Sequence, residues 1–192
     1  YAHLLAQHLE SEANADREIN FQNLGALPAG LSEVYAVNFK RAFPEGARDP
    51  AWAKARPLVA LIAAAQEPIT VTMAATLLEW DDRAQSAALE ATSLLFPVRD
   101  GKFHVFHKTV VDWLTGEIAE GSSVTRRSEV FQVERTDGHA ALAAGFVKWR
   151  GGARVEDAAY WLAHGLVHLC RAGQLQEAAT VYATDLELLK GR

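Results

Sequence analysis

The feature that most limits what this chain can fold into is the run Leu94-Leu95-Phe96-Pro97-Val98-Arg99-Asp100-Gly101-Lys102-Phe103-His104-Val105-Phe106-His107-Lys108-Thr109-Val110-Val111-Asp112-Trp113-Leu114. Asp-Gly between two short runs of mixed polarity tolerates the positive φ values of a tight two-residue turn. The run therefore predicts a helix end, a strand, a hairpin turn at Asp100-Gly101 and a second strand. Alternation through Phe103 and Val105 breaks at Phe106, so the second strand is short, and at His107 the chain enters an amphipathic helix. A histidine thus falls at a strand–helix junction, beside the amides of a first helical turn, where an anion can be held.

Helical patterns surround the hairpin. Leu5 and Leu9 lie four apart near the N-terminus, and a polar stretch follows from 11 to 22. Leu27-Pro28-Ala29-Gly30-Leu31 opens a helix with Leu31, Val34, Tyr35, Asn38 and Phe39 on one face, Pro28 suiting a first turn that needs no N–H partner. Residues 51–65 predict an alanine-rich helix with Leu58, Leu61 and Ile62 as its seam, stopped by Gln66-Glu67-Pro68. Thr70 or Thr72 can cap a short helix through Leu78, and Asp81 or Asp82 a helix over 83–95. Three helices followed by a two-stranded hairpin is the order of a winged helix.

Beyond the His107 helix, which should end near Gly116, Gly121-Ser122-Ser123 reads as a break. Thr136-Asp137-Gly138-His139 leads into a helix ending near Arg150. Residues 155–172 predict a helix whose apolar face carries Trp161, Leu162, Leu166, Leu169 and Cys170. Gly173 terminates it, and 174–189 form a last helix with Ala178, Val181, Tyr182 and Leu186 apolar. Two helices joined by an Ala-Gly turn resemble one unit of a helical repeat array.

Composition narrows the partners. Of 192 residues 49% are hydrophobic, enough for a buried core, and the net charge of −5 argues against duplex DNA or an anionic membrane surface. No apolar run approaches the roughly 18 residues of a membrane span. The single cysteine, Cys170, forms no internal disulfide, and a reducing, cytoplasmic setting is expected. Tyr1-Ala2-His3-Leu4 lacks a start methionine and a basic leader, so the chain is read as a piece of a larger protein.

Chemistry-bearing residues are sparse. As a DNA reader, the 83–95 helix offers Arg83, Gln85 and Glu90, and the wing only Arg99 and Lys102, which is little for phosphates or base edges. His164 and His168 have the i, i+4 spacing of two-histidine metal motifs, but Gly165-Leu166-Val167 between them brings no glutamate and no third ligand is suggested, so packing is the favoured reading. His139 is likewise read as structural, and Cys170 as core rather than nucleophile. No phosphate-binding loop, dinucleotide fingerprint or nucleophile elbow occurs, and the chain alone is expected to have no catalytic residues.

Taken in order, several segments resemble one family. Leu27-Pro28-Ala29-Gly30-Leu31 with Tyr35 and Phe39 is similar to the entry helix of the winged-helix domain in NACHT-type signal-transducing ATPases, the STAND class. Ala64-Ala65-Gln66-Glu67-Pro68-Ile69-Thr70 is similar to the turn after that domain's second helix. Phe106-His107-Lys108-Thr109-Val110-Val111-Asp112-Trp113-Leu114 resembles its most specific motif, a Phe-His-Lys-Ser-like run with an Asp and an aromatic-Leu pair downstream. Ala159-Tyr160-Trp161-Leu162-Ala163-His164-Gly165-Leu166-Val167-His168-Leu169 is similar to the helical domain that follows in the apoptotic protease-activating factor and its ankyrin- or WD-repeat relatives.

The resemblance implies a mainly α chain in three parts: 1–23, the end of the upstream helical domain of the ATPase module; 24–118, a winged helix with a small two-stranded β wing; and 119–192, a repeat-like helical domain. It implies a regulatory segment of a nucleotide-controlled switch that couples ADP or ATP state to autoinhibition and oligomerisation. By position, His107 is the residue that contacts the β-phosphate of ADP. The following helix start adds a favourable partial charge, and Asp112 and Trp113 orient and bury that helix. ADP or ATP with Mg would bind only together with the missing NTPase domain. The implied partners are that domain, a downstream repeat or sensor domain and, on activation, further copies of the protein, with neither nucleic acid nor membrane. Lys108 departs from the Asp that plant relatives carry after their histidine. A helical-repeat interaction scaffold is the alternative, and a DNA-binding winged helix the second alternative.

Overall fold

The computed structural model describes residues 31–93, 95–105, 108–118, 128–152 and 157–190. The first 30 residues with Pro28, the pair Phe106-His107 and the expected break at Gly121-Ser122-Ser123 lie outside the described residues.

Eight α-helices and a two-stranded antiparallel sheet make up the regular structure among the described residues, so the fold is mainly helical. Helix α1 is Leu31–Ala42, and it buries Leu31, Val34, Tyr35, Asn38 and Phe39, the same five positions the helical period selects. Helix α2, Pro50–Ala64, starts at Asp49, whose carboxylate accepts from the Ala51 amide at 2.9 Å and from the Glu45 amide at 3.2 Å. Pro50 at the first position costs no hydrogen bond there. From Leu58 to Ala64 every α2 side chain is buried, because this helix is packed on several sides at once. Asp49→Ala should lower stability by about 1–2 kcal/mol, the upper range for a cap that serves two amides. The check is a lower urea midpoint at unchanged slope.

Thr70, not Thr72, caps the short helix α3, Val71–Leu77, by accepting from the Met73 amide. Asp81 caps α4, Asp82–Thr92, by accepting from Ala84 at 2.7 Å. Helix α4 stops three residues short of the expected end, and the amides of Leu95 and Phe96 both bond back to the Thr92 carbonyl. Strands β1, Val98–Arg99, and β2, Lys102–Phe103, pair Val98 with Phe103 and Arg99 with Lys102. Both turn residues have positive φ, Asp100 at 50° and Gly101 at 72°, which is the primed turn that Asp-Gly favours.

A second ladder was not evident from the sequence. Residues 69–71 run antiparallel to β2: the Phe103 amide donates to the Ile69 carbonyl and the Val71 amide to the Gly101 carbonyl, both at 2.9 Å, with Thr70 bridged to Lys102. The hairpin is thereby anchored to the segment between α2 and α3.

Helix α5, Lys108–Thr115, closes at Gly116, whose amide bonds to the Asp112 carbonyl at φ 75°. Its Trp113 joins an aromatic cluster centred on Phe39, with ring centroids 5.1 Å away for Trp113, 5.2 Å for Phe131, 6.0 Å for Trp52 and 6.2 Å for Phe43. The 128–133 segment reaches that cluster along the end of α5, with the Ser128 amide on the Trp113 carbonyl and the Val133 amide on the Leu114 carbonyl.

Helices α6, Arg135–Arg150, α7, Ala158–Arg171, and α8, Leu175–Lys190, complete the chain. The most extensive helix pairing is α2 with α6, followed by α6 with α7, so the core is continuous from the first described helix to the last. Gly138 allows the first of these contacts, since a Cβ there would strike the Ala60 carbonyl and the Ala64 methyl. Gly165 allows the second, lying flat against the Phe146 ring.

Two expectations for the last helices are corrected. Helix α7 buries Tyr160, Trp161, Gly165, His168 and Leu169, whereas Leu162 is 76% exposed and Cys170 is also exposed. On α8, Ala178 and Val181 are buried while Tyr182 is 58% exposed. These helices lie at the edge of the body and bury one narrow stripe each. No helix among the described residues is long and apolar enough to cross a membrane.

Candidate functional site

His107 lies outside the described residues, but the segments on either side of it are held firmly. Upstream, β2 is paired on both edges, and the His104 amide bonds to the Pro97 carbonyl at 3.0 Å. Downstream, α5 is tied to α1 by the hydroxyls of Thr109 and Tyr35, 2.7 Å apart, and by Trp113 against the Tyr35 ring at 5.8 Å. Burial holds the Tyr35 phenol above its ordinary pKa, with the Thr109 bond acting against that and the nearby Asp112 charge adding to it. The hydroxyl therefore stays a donor or acceptor and not an anion. Asp112 and Trp113 are both buried, so the face of α5 that carries them is committed to the core.

Beside the hairpin a cleft of about 260 Å³ is lined by Ile62, Gln66, Glu67, Ile69, His104 and Val105. It is smaller than the roughly 300–1,000 Å³ of ordinary small-molecule sites. A nucleotide would need walls from elsewhere.

The densest polar constellation is one that sequence reasoning missed. His139 on α6 and His168 on α7 are 3% and 0% exposed, and their Nδ1 atoms are 2.9 Å apart. His168 Nε2 is 2.9 Å from the Tyr160 hydroxyl, whose oxygen also accepts from the Gln66 amide at 3.3 Å. The Gln66 N–H fills one lone pair of the Tyr160 hydroxyl. Two tautomer sets complete the chain: Tyr160 donates to His168 Nε2 and His168 Nδ1 to His139 Nδ1, or His139 Nδ1 donates to His168 Nδ1 and His168 Nε2 to Tyr160. Burial drives the His168 pKa down to about 3, helped by His139, His164 and Arg171, and that of His139 down to about 4, helped by Arg171 and Arg135. Burial pushes Tyr160 up to about 12. All three groups are neutral at pH 7, which is what a one-directional chain requires.

His164 turns to a different partner: its Nε2 lies 3.0 Å from Glu67 Oε1 at the surface, while its ring packs edge-on to Tyr160. His164 and His168 thus do not converge, and no group of three or more His, Cys, Asp or Glu among the described residues could hold a metal ion. Nothing in spacing alone marks His139 and His168 as partners, because 29 residues and a helix reversal separate them. The available signal was weaker: a histidine within the buried face of each of two neighbouring apolar helices, where an unpaired imidazole is costly.

No family model matches the chain, and neither a curated protein nor a solved structure does.

Proposed function

We propose that this chain is the regulatory segment of a nucleotide-controlled signalling switch of the NACHT-type STAND class. In this reading residues 24–118 are a winged-helix domain and 119–192 the start of a helical, repeat-like domain. The observation that carries the reading is the order of parts around the hairpin. Helix α2, the Thr70 bridge to Lys102, α3, α4 and then β1–β2 follow one another as the helices and strands of a winged helix do, and the Phe-His-Lys motif follows in the sequence. Little favours DNA as the ligand of this winged helix. Asp81, Asp82 and Glu90 accompany the single Arg83 on and before α4, giving an acidic surface where phosphates would approach.

His107 is the residue assigned to the β-phosphate of ADP, with α5 beginning at the next residue and adding the partial positive charge of its first turn. Such a contact biases the switch only if it is made in one state and not the other. The NTPase domain upstream supplies the remaining walls and the Mg site, the repeats downstream take up the change, and activated copies assemble in the cytoplasm. This chain contributes packing and one imidazole, not catalysis.

The test is His107→Ala in the protein that carries the NTPase domain. Co-purifying ADP should fall by about tenfold or more, as expected for losing a charge-assisted hydrogen bond of about 1.5–3 kcal/mol, with more self-association. Unchanged ADP retention together with unchanged assembly removes the proposal.

A helical-repeat scaffold is the second reading, favoured by the exposed Leu162, Leu175 and Tyr182 on α7 and α8. Helical repeats in the sequence on both sides of this chain, with no phosphate-binding loop upstream, would select it.

A further inference from the structure

We propose that residues 66–71 are a tie that couples the β1–β2 hairpin to α7, so that a displacement of either is passed to the other. The segment is used on both edges. Its backbone faces the hairpin through the Ile69 carbonyl and the Val71 amide, the two bonds that bridge Thr70 to Lys102. Three separate bonds face α7. The Gln66 amide donates to Tyr160, the Thr70 hydroxyl donates to Asp157 Oδ2 at 3.1 Å, and Glu67 Oε1 meets His164 Nε2 at 3.0 Å.

The Asp157 carboxylate is turned to Thr70 and not to its own helix. An aspartate at a helix N-cap ordinarily accepts from the first-turn amides of its own helix. Asp157 stands at that position of α7 with φ 69°, yet its carboxylate makes no cap bond and serves Thr70 instead. Tyr160 then carries the linkage inward, since the hydroxyl that receives Gln66 also holds His168, and His168 holds His139 on α6. In contrast with the apolar α2–α6 contact, this seam is made of directional bonds, whose strength depends on the angle between donor and acceptor. The proposal rests on the switch reading only for what would pull on the hairpin. The coupling itself is a property of this chain and is measured without nucleotide.

Val71→Pro cuts the hairpin side selectively. Val71 is the first residue of α3, where proline is favoured, and Thr70 before it is already extended at φ −74°, ψ 154°. The amide that donates to Gly101 is lost, and the ring Cδ that replaces its hydrogen presses the Gly101 carbonyl away. Tyr160→Phe removes one of the three α7-side bonds, the one that carries the linkage inward to His168. Native-state hydrogen exchange of the chain reads both. Val71→Pro should speed exchange of the α7 amides by about 3- to 10-fold, what the loss of one net hydrogen bond amounts to. Tyr160→Phe should speed the Phe103 and His104 amides to a similar degree, because coupling is reciprocal. In the double variant the two effects should not add.

Acceleration confined to 69–71 and 101–104 in the first variant, or additive effects in the double variant, overturns the proposal. If Val71→Pro fails to fold, the Tyr160→Phe arm decides alone, and unchanged Phe103 and His104 amides overturn it. Because ADP plays no part, this outcome is independent of the His107 experiment.

Discussion

Gly138→Ala should cost about 3 kcal/mol or more of stability, at or beyond the upper end of what overpacking usually does. At an exposed helical site the same change would gain nearly 1 kcal/mol from backbone entropy and helix propensity. Here the new methyl would occupy the place of the Ala60 carbonyl and press on the Ala64 methyl, where α6 lies against α2. A carbonyl in mid-helix cannot step aside without breaking its own helical bond, so the helices must separate. Separation uncovers Ala60, Ala64, Leu142 and Ala143, all buried now. The steric term therefore outweighs the propensity gain.

Two other glycines calibrate this result. A methyl on Gly165 would meet the face of the Phe146 ring, which is itself buried, whereas on Gly145 it would meet the Leu77 methyl and the edge of Trp161. A leucine methyl swings away more cheaply than a ring, and a ring more cheaply than backbone. Urea midpoints should fall in the order Gly145→Ala, Gly165→Ala, Gly138→Ala, with the last lowest. A Gly138→Ala protein as stable as the parent would mean that α2 and α6 do not approach as closely as described.

How much of this was legible beforehand follows from the range of the forces involved. The Asp100-Gly101 turn and the buried face of α1 are set within a few residues, and local spacing is enough to read them, while it narrows the caps to Thr70 or Thr72 and Asp81 or Asp82. The 69–71 strand was not legible. Three residues after a proline carry no alternation, and their pairing exists only because the hairpin, thirty residues on, lies alongside. Leu162 and Tyr182 misled for a related reason. Apolar periodicity marks a face that can be buried, and at the edge of a body part of that face has nothing to pack on. Gly138 and Gly165 carry no local signal either, since their reason is a neighbouring helix. Of the candidate site, the helix from Lys108 to Thr115 was legible, while Phe106 and His107 lie outside the described residues and the assignment of His107 to phosphate rests on resemblance alone. The His139–His168–Tyr160 chain could be found only by folding two helices together.

That chain gives the second large prediction, a steep loss of stability in mild acid. An unfolded histidine titrates near 6.5, whereas His139 in the native chain is held at about 4 by burial and the Arg171 and Arg135 charges, and His168 at about 3 by burial, His139, His164 and Arg171. Their native pKa values lie below the unfolded ones, so between pH 6.5 and about 4 the unfolded chain binds protons that the native chain refuses. Stability is therefore full above pH 6.5 and falls as the pH drops toward the native values. The slope approaches two protons, roughly 3 kcal/mol per pH unit at its steepest. Against a typical total of about 5–15 kcal/mol, that is enough to unfold the chain before most carboxylates are protonated. The cause is specific to the geometry: one proton lies between the two Nδ1 atoms, and a second there would set two N–H groups against each other across 2.9 Å. Urea unfolding at half-unit intervals from pH 7.5 to 4.5 measures the slope. The double substitution His139→Gln with His168→Gln keeps side chains that can hydrogen-bond but do not titrate, and should remove most of it, with His139→Gln alone removing about one proton's worth. Should the slope be the same in parent and variants, the acid sensitivity belongs to other groups and the two histidines are not held neutral by their burial.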